Sequence, residues 1–116
     1  ELLDIYPTLC DLAGLPIPTN LEGTSLLPIL ENPKNTVRSF ARSQYPRGSN
    51  IMGYTIKTDR YRYVEWTDTR TNEVVAKELY DHFVDGPENV NQANNLSYQI
   101  EMGLLSEKVS TFNGAP

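Results

Sequence analysis

Four strand-like runs separated by short connections constrain the fold of this chain most. The runs are rich in β-branched and aromatic residues and contain stretches that alternate polar with apolar side chains, which is typical of strands. Consecutive strands with short connections pair as an antiparallel meander, because parallel pairing needs a longer crossover. We therefore predict strands at residues 37–45, 51–57, 60–66 and 75–81, with a tight turn at 58–59 and a polar hairpin loop at 67–73.

Helical patterns flank these strands. Residues 4–13 place apolar side chains at helical spacing, Asp4 is suited to the N-cap, and Gly14 is suited to the left-handed position after the helix. A turn or two of helix is expected after Gly23. Residues 97–110 carry a second apolar stripe, and the tail from 111 onward is expected to fray. The predicted fold class is α+β: a small antiparallel sheet of about four strands with an N-terminal and a C-terminal helix packed on it.

The first helix carries more apolar surface than one contact can bury. Ile5, Leu9 and Leu12 form a stripe, and Tyr6, Cys10 and Ala13 lie beside it. Burial on several sides of the helix is expected to need a partner domain. We also expect the isolated chain to self-associate, because uncovered apolar patches find partners.

Composition excludes several classes of protein. A net charge of −5 over 116 residues argues against nucleic-acid binding, which needs clustered Lys and Arg. No apolar run approaches the roughly 20 residues that span a bilayer. Cys10 is the single cysteine, so an internal disulfide cannot form, and its place on an apolar helix face indicates a buried structural thiol.

Four segments of the chain resemble type I sulfatases. The segment 78–91, Glu-Leu-Tyr-Asp-His-Phe-Val-Asp-Gly-Pro-Glu-Asn-Val-Asn, resembles the Glu-Leu-Tyr-Asp…Asp-Pro-x-Glu-x-x-Asn pattern near their C-terminus. Residues 4–14 resemble their Asp-x-x-Pro-Thr-Leu…Ala-Gly helix. Ser-Gln-Tyr-Pro-Arg at 43–47 and Met-Gly-Tyr at 52–54 look closest to iduronate-2-sulfatase and its bacterial relatives.

The resemblance implies a parent enzyme that hydrolyses sulfate esters with a formylglycine and a calcium ion, in the periplasm, the lysosome or outside the cell. This chain lacks the Cys/Ser-x-Pro-x-Arg motif, since Cys10 is followed by Asp-Leu-Ala, and it lacks the family's Asp-Asp metal pair. Residues 1–116 are therefore interpreted as a sulfatase C-terminal subdomain with no catalytic and no metal-binding residue. Its expected partners are the catalytic domain of the same protein and a sulfated sugar substrate.

The resemblance further implies that this subdomain borders the substrate cleft. Gln44, Tyr45 and Arg47 lie where a strand enters a loop and are the candidate substrate-binding residues. Arg47 is suited to a uronate carboxylate or a sulfate, and Tyr45 to a sugar ring. The alternative interpretation makes Tyr45 a core residue and Arg47 a solvated loop residue.

Other readings stay open. The whole chain is alternatively a stand-alone glycan-binding or interaction module without hydrolase activity. The single histidine, His82, is more often a surface residue than an acid–base group in such a setting. Arg38, Arg42, Arg60 and Arg62 form either a sulfated-glycan surface or ordinary salt bridges, the latter being favoured. Gly53 is expected to mark a bulge.

Overall fold

The structure is a computed structural model that describes the backbone of residues 1–113 and the side chains of residues 1–111. The chain divides into two compact units, Glu1–Ser39 and Phe40–Pro116. Each unit has its own secondary structure and its own internal contacts. Among the described residues, no helix combines the length and the apolar character that crossing a bilayer requires.

The first unit is helical. A 3-10 turn at Leu2–Asp4 leads into helix α1, Ile5–Leu12, and a short helix α2 follows at Leu27–Glu31. The end of α1 matches the prediction, because Gly14 has a φ of 67°. The amides of Gly14 and Leu15 donate to the carbonyls of Asp11 and Cys10. This pair of hydrogen bonds is a Schellman motif, which only a left-handed residue such as glycine closes without strain.

The prediction that the Asp4 carboxylate caps α1 is wrong. The 3-10 turn precedes α1, so Asp4 already has right-handed helical dihedrals and makes no side-chain capping bond. Its carboxylate instead accepts the amide of Thr24 at 2.8 Å and Nη2 of Arg38 at 2.7 Å. Burial acts to raise the pKa of Asp4, but the Thr24 amide, the ammonium of Glu1 and Arg38 together hold it below its usual value.

The second unit begins with the predicted meander. Strands β1 (Ala41–Arg47), β2 (Ile51–Lys57), β3 (Tyr61–Asp68) and β4 (Glu73–Asp81) form one antiparallel sheet in the order β1-β2-β3-β4. β2 has the predicted bounds, whereas β1 begins and ends later than predicted. The shift follows from the register: Ala41 pairs with Lys57, the last residue of β2, so residues before 41 have no strand opposite them. A register irregularity at Trp66/Thr67 accompanies the longer β3–β4 hairpin.

Helix α3 covers one face of this sheet. It runs from Gln99 to Asn113 after a 3-10 turn at Leu96–Tyr98. Its Leu105 and Val109 join a buried cluster with side chains from three strands. The strand members of that cluster are Ile56, Tyr63 and Leu79. The predicted fraying from residue 111 is wrong as far as Asn113, because Val109 anchors the last turns in the core; residues 114–116 lie outside the described part.

The predicted fold class is confirmed. A four-stranded antiparallel sheet with helices at the N-terminal and C-terminal ends of the chain makes an α+β protein. The sheet has two faces of different character. The helix-covered face holds the apolar core, and the opposite face carries Tyr45, Trp66, Glu78 and Arg62, which the strand register places side by side.

Candidate functional site

The predicted site residues lie at the end of β1, which is an edge strand of the sheet. Tyr45 and Arg47 are two residues apart and share the face opposite α3, whereas Gln44 pairs with Tyr54 on the helix-covered face. Tyr45 is 67% exposed, so the alternative interpretation of it as a core residue is wrong. The structure therefore brings two of the three candidates together on one face and places the third at the same strand edge, facing the other way.

Arg47 lies over the ring of Trp66. Its Cζ is 4.2 Å from the ring centroid, a close cation–π contact. Within the residues whose side chains are described, no carboxylate forms an ion pair with Arg47. The guanidinium is consequently held in place by an aromatic ring rather than neutralised by an acid.

Trp66 is itself held from two sides. Gly53 pairs with Trp66 across β2 and β3, and a Cβ at Gly53 would lie 2.6 Å from the ring carbon Cζ3. The prediction that Gly53 marks a bulge is wrong, because β2 pairs without irregularity there, and the glycine instead makes room for the indole. At the other side, Trp66 Nε1 donates to Glu78 Oε1 at 2.7 Å.

The Glu-Leu-Tyr-Asp motif continues this network along the sheet. Glu78 also accepts from the Tyr80 hydroxyl at 3.0 Å, and the guanidinium of Arg62 lies over the Tyr80 ring. Burial and the Glu78 hydrogen bond raise the pKa of Tyr80. Glu78 and Tyr80 therefore build the face opposite α3, while Leu79 between them points into the core.

His82 is partly buried and has a partner. Its Nε2 lies 2.6 Å from Glu88 Oε1, and the other oxygen of Glu88 pairs with Arg62. Glu88 adopts a φ of 60°, so the loop bends in order to present this carboxylate. His82 is only partly exposed at the surface, and this triad fixes the loop after β4 to the sheet.

Asp81, the last residue of the Glu-Leu-Tyr-Asp motif, is buried and binds several groups. It is 2% exposed and accepts Nε and Nη2 of Arg60 at 2.9 and 2.7 Å. The Tyr98 hydroxyl and the Phe83 amide complete its shell. The Arg60 hydrogen bond, against the effect of burial, lowers the pKa of Asp81 to about 2.

Two further acidic and amide positions of the motif hold the loop after β4. Asp85 accepts from Asn89 Nδ2 and from the Val90 amide, and Asn91 accepts from the Leu79 amide. Among the described residues, no group of three or more His, Cys, Asp or Glu side chains is arranged to hold a metal ion.

The arginine set is committed to local partners, which confirms the salt-bridge interpretation for three of its members. Arg38 pairs with Asp4 and Glu1, Arg60 with Asp81, and Arg62 with Glu88. Arg42 lies over the Phe40 ring. Arg47 lies over the ring of Trp66, and among the described residues it forms no ion pair with a carboxylate.

α1 presents its apolar residues outward. Ile5, Tyr6, Leu9 and Leu12 are all more than half exposed. The polar side of the helix faces the interior of its own unit, where Thr8 donates to the Asp4 carbonyl and accepts from the Leu26 amide, and Asp11 accepts from Ser25. Cys10 is buried, as predicted. A helix buried by its polar side leaves an apolar surface that needs a cover.

Sequence reasoning assigned no functional role to Trp66 and Glu78. The signal was weak, because Trp66 is far from Arg47 in the chain and lies outside the motifs that contain Arg47 and Glu78. Their proximity appears only once the register is known, when Tyr45 stands opposite Gly53 and Gly53 opposite Trp66.

This fold and these motifs define the C-terminal region of sulfatase-type sulfuric ester hydrolases. The chain belongs to the family described as N-sulphoglucosamine sulphohydrolase, C-terminal, whose pattern matches residues 1–113. The resemblance to sulfatases is thereby confirmed.

Relatives of known sequence support the same assignment. Rat (Rattus norvegicus) arylsulfatase K is 32% identical over 118 residues, which cover 91% of this chain and 20% of that protein. A sulfatase of Formosa agariphila is 30% identical over 105 residues, covering 90% of this chain and 19% of that protein. The chain thus spans about a fifth of the length of the curated relatives it matches.

Solved structures show the same fold. The structure of BT4656 in complex with its substrate, D-glucosamine-2-N,6-O-disulfate, superposes with a TM-score of 0.79 at 26% identity and covers 94% of this chain and 23% of that one. A putative sulfatase from Bacteroides thetaiotaomicron gives a TM-score of 0.71 at 29% identity, with 95% of this chain and 23% of that one covered.

Proposed function

We propose that this chain is the C-terminal part of a sulfuric ester hydrolase resembling iduronate-2-sulfatase. Its role is to complete the fold of the enzyme and to border the pocket for a sulfated uronate or a related glycan. The observation that carries this proposal is the position of Arg47, whose exposed guanidinium lies over Trp66 at the end of an edge strand. Among the described residues, no carboxylate forms an ion pair with it. The Ser-Gln-Tyr-Pro-Arg and Met-Gly-Tyr motifs support the closer relationship.

The fold-completing role is supported by the apolar face of α1. That face is the right kind of surface for the interior of a larger protein, because large exposed apolar side chains lose stabilisation when left in water. The relatives it matches are about five times as long, and in this proposal their additional length includes the catalytic domain that covers α1.

The pocket-wall role rests on three side chains. Arg47 binds an anionic group of the substrate through charge-assisted hydrogen bonds, and Tyr45 offers an exposed ring to a sugar. Gln44 points to the other side of β1, so it contributes where a ligand meets the open edge of that strand. An edge strand leaves backbone N–H and C=O groups free on its outer side, which suits a polar ligand.

Catalysis itself belongs to the catalytic domain in this proposal. The formylglycine and the calcium ion that the sulfatase resemblance implies would be held by residues of the catalytic domain, where they would supply the nucleophile and charge stabilisation. The residues of this chain bind and orient the sugar. This division agrees with the absence of a Cys/Ser-x-Pro-x-Arg motif from the sequence.

The test uses the full-length enzyme and a disaccharide that carries a sulfated uronate. Arg47→Ala is expected to lower kcat/KM by about 10- to 100-fold, because a charge-assisted hydrogen bond contributes about 1.5–3 kcal/mol. Lys34→Ala, which removes an exposed cation in the first unit, serves as the matched control and should leave kcat/KM within twofold. Equal activity of the Arg47 and Lys34 variants would remove the pocket-wall role. Binding of sulfated oligosaccharide by a full-length protein without sulfatase activity would favour the glycan-binding alternative.

A further inference from the structure

The indole of Trp66 occupies a seat that the backbone provides. Gly53 leaves the space above β2 open, and a Cβ at this position would lie 2.6, 2.9 and 3.0 Å from three carbon atoms of the ring. The contact involves side-chain ring atoms and not the Trp66 backbone. The absence of a Cβ at residue 53 thus allows the ring to lie where it does.

Glu78 fixes the rotation of the same ring. The 2.7 Å hydrogen bond from Nε1 gives the indole one preferred orientation, and Glu78 is in turn held by the Tyr80 hydroxyl at 3.0 Å. A ring that is seated below and hydrogen-bonded at its edge is a rigid platform. Such a platform reduces the conformational entropy that a flexible side chain resting on it loses when it binds a ligand.

Arg47 rests on this platform at 4.2 Å. The five N–H donors of a guanidinium lie in the plane of the group, so a ring against one flat side leaves donors at the edge available to a ligand. Two parallel N–H groups at that edge match a planar carboxylate in a bidentate pair. A sulfate accepts the same fork, but in the proposed function the sulfate that is hydrolysed lies in the catalytic domain, so the uronate carboxylate is the anionic group that remains for Arg47.

We infer that Trp66 is a positioning residue that holds Arg47 as a receptor for the carboxylate of a uronate, and not for the sulfate that is hydrolysed. This inference rests on the proposed pocket-wall function and narrows it to one chemical group of the substrate. Gly53 and Glu78 belong to the same device, because they set the place and the rotation of the indole.

The test compares two probes with the full-length enzyme: a disaccharide carrying a sulfated uronate, and the same disaccharide with the carboxyl group reduced to an alcohol. The measured quantity is the ratio of their kcat/KM values. Arg47→Ala is expected to lower that ratio about 10- to 100-fold. Trp66→Phe, which keeps an aromatic ring but loses the indole N–H, is expected to lower it about threefold or more.

Gly53→Ala supplies an independent variant, since it displaces the indole while leaving Trp66 and Arg47 chemically unchanged. It should lower the same ratio. Gly103→Ala is the matched control, because nothing lies within 4 Å of its added Cβ. Glu78→Gln retains an acceptor for the indole N–H and should preserve more of the ratio than Glu78→Ala.

The outcomes separate the two proposals. If Arg47→Ala lowers activity toward both probes equally, Arg47 borders the pocket but does not recognise the carboxylate, and the inference is overturned while the proposed function stands. If Arg47→Ala lowers the ratio and both Trp66→Phe and Gly53→Ala leave it unchanged, the positioning role of Trp66 is overturned. If Arg47→Ala changes neither probe, the proposed function itself fails.

Discussion

The guanidinium of Arg60 grips the carboxylate of Asp81 with two parallel hydrogen bonds, from Nε at 2.9 Å and from Nη2 at 2.7 Å. This pair joins the turn before β3 to the end of β4, and the Tyr98 hydroxyl extends it to the residues that start α3. The Tyr98 ring also contacts the Tyr61 ring edge to face, at a centroid distance of 6.3 Å. One carboxylate therefore ties together three separate elements of the second unit.

The first prediction concerns acid stability. The pKa of Asp81 is about 2 in the folded protein, below the usual 3.8, so ionised Asp81 contributes stability above about pH 4. That contribution is lost as the pH falls through about 2. We expect Asp81→Asn to lower the free energy of unfolding at pH 6 by about 1–3 kcal/mol and to flatten its dependence on pH between 4 and 2.

Denaturant titrations of the full-length protein at a series of pH values measure this effect. Asp59→Asn changes an exposed aspartate in the adjoining turn and is the control. Parallel pH profiles for the Asp81 variant and the unmodified protein would contradict the assignment.

The second prediction concerns the end of α1. Gly14→Ala forces a residue with a Cβ into a φ of 67°, which costs about 1–2 kcal/mol. Gly103→Ala, within α3, is expected to stabilise by about 0.5–1 kcal/mol because alanine is the better helix former. Opposite shifts in the thermal midpoints of the two variants are the expected result. Equal shifts would mean that the Schellman motif does not hold the end of α1.

The third prediction concerns the outward apolar face of α1. The isolated 116-residue chain is expected to self-associate at micromolar concentrations, and replacing Leu9 and Leu12 by Gln should shift it toward the monomer. Sedimentation velocity measures the distribution, with circular dichroism as a check on folding. Leu30→Gln removes an equally exposed leucine from α2 and should change the distribution less. A monomeric unmodified chain would show that this face needs no cover.

The fourth prediction concerns the edge of β4. Asn91 accepts from the Leu79 amide at 3.0 Å and donates to the Lys77 carbonyl at 3.1 Å, while the Gln92 amide donates to the Leu79 carbonyl. Asn91→Ala removes the acceptor for a buried strand amide. We expect hydrogen exchange at the Leu79 amide to become about 5- to 150-fold faster, as the loss of about 1–3 kcal/mol implies.

Asn89→Ala provides the comparison for this edge. Asn89 is exposed, and within the described part of the chain its side chain donates to Asp85 of the same loop at 2.9 Å. Exchange at the Leu79 amide should therefore stay unchanged in that variant. If both variants accelerate exchange alike, the loop acts as a whole and Asn91 has no special part in covering the edge.

Local patterns predicted the elements of this fold well. Periodicity located all four strands and both long helices, and Gly14 marked the end of α1, because these features depend on neighbouring residues. The capping role predicted for Asp4 is wrong. The local sequence suits Asp4 to an N-cap, but the partners of its carboxylate, Thr24 and Arg38, are distant in the chain. The starting point of β1 was set by the length of its partner strand and not by its own residues.

Only part of the candidate site could be predicted, because local patterns do not report contacts between distant residues. The strand end that carries Tyr45 and Arg47 follows from a motif and a turn signal, both of which are local. The Trp66 platform depends on the registers of two strand pairs, and a shift of one residue in either would place the ring on the opposite face. Sequence alone gave no means of fixing those registers.

The outward apolar face of α1 limits how such a segment is exchanged between enzymes by recombination. The second unit, from Phe40 onward, carries its own buried cluster and can be inherited as a block. In the proposed function the apolar face of α1 is covered by the catalytic domain, so a crossover just before α1 would pair that face with a mismatched neighbour. We therefore expect functional chimaeras of these hydrolases to tolerate a junction near Ser39 better than a junction ahead of α1. In such chimaeras α1 is inherited with the catalytic domain, and the sheet is the part exchanged between enzymes.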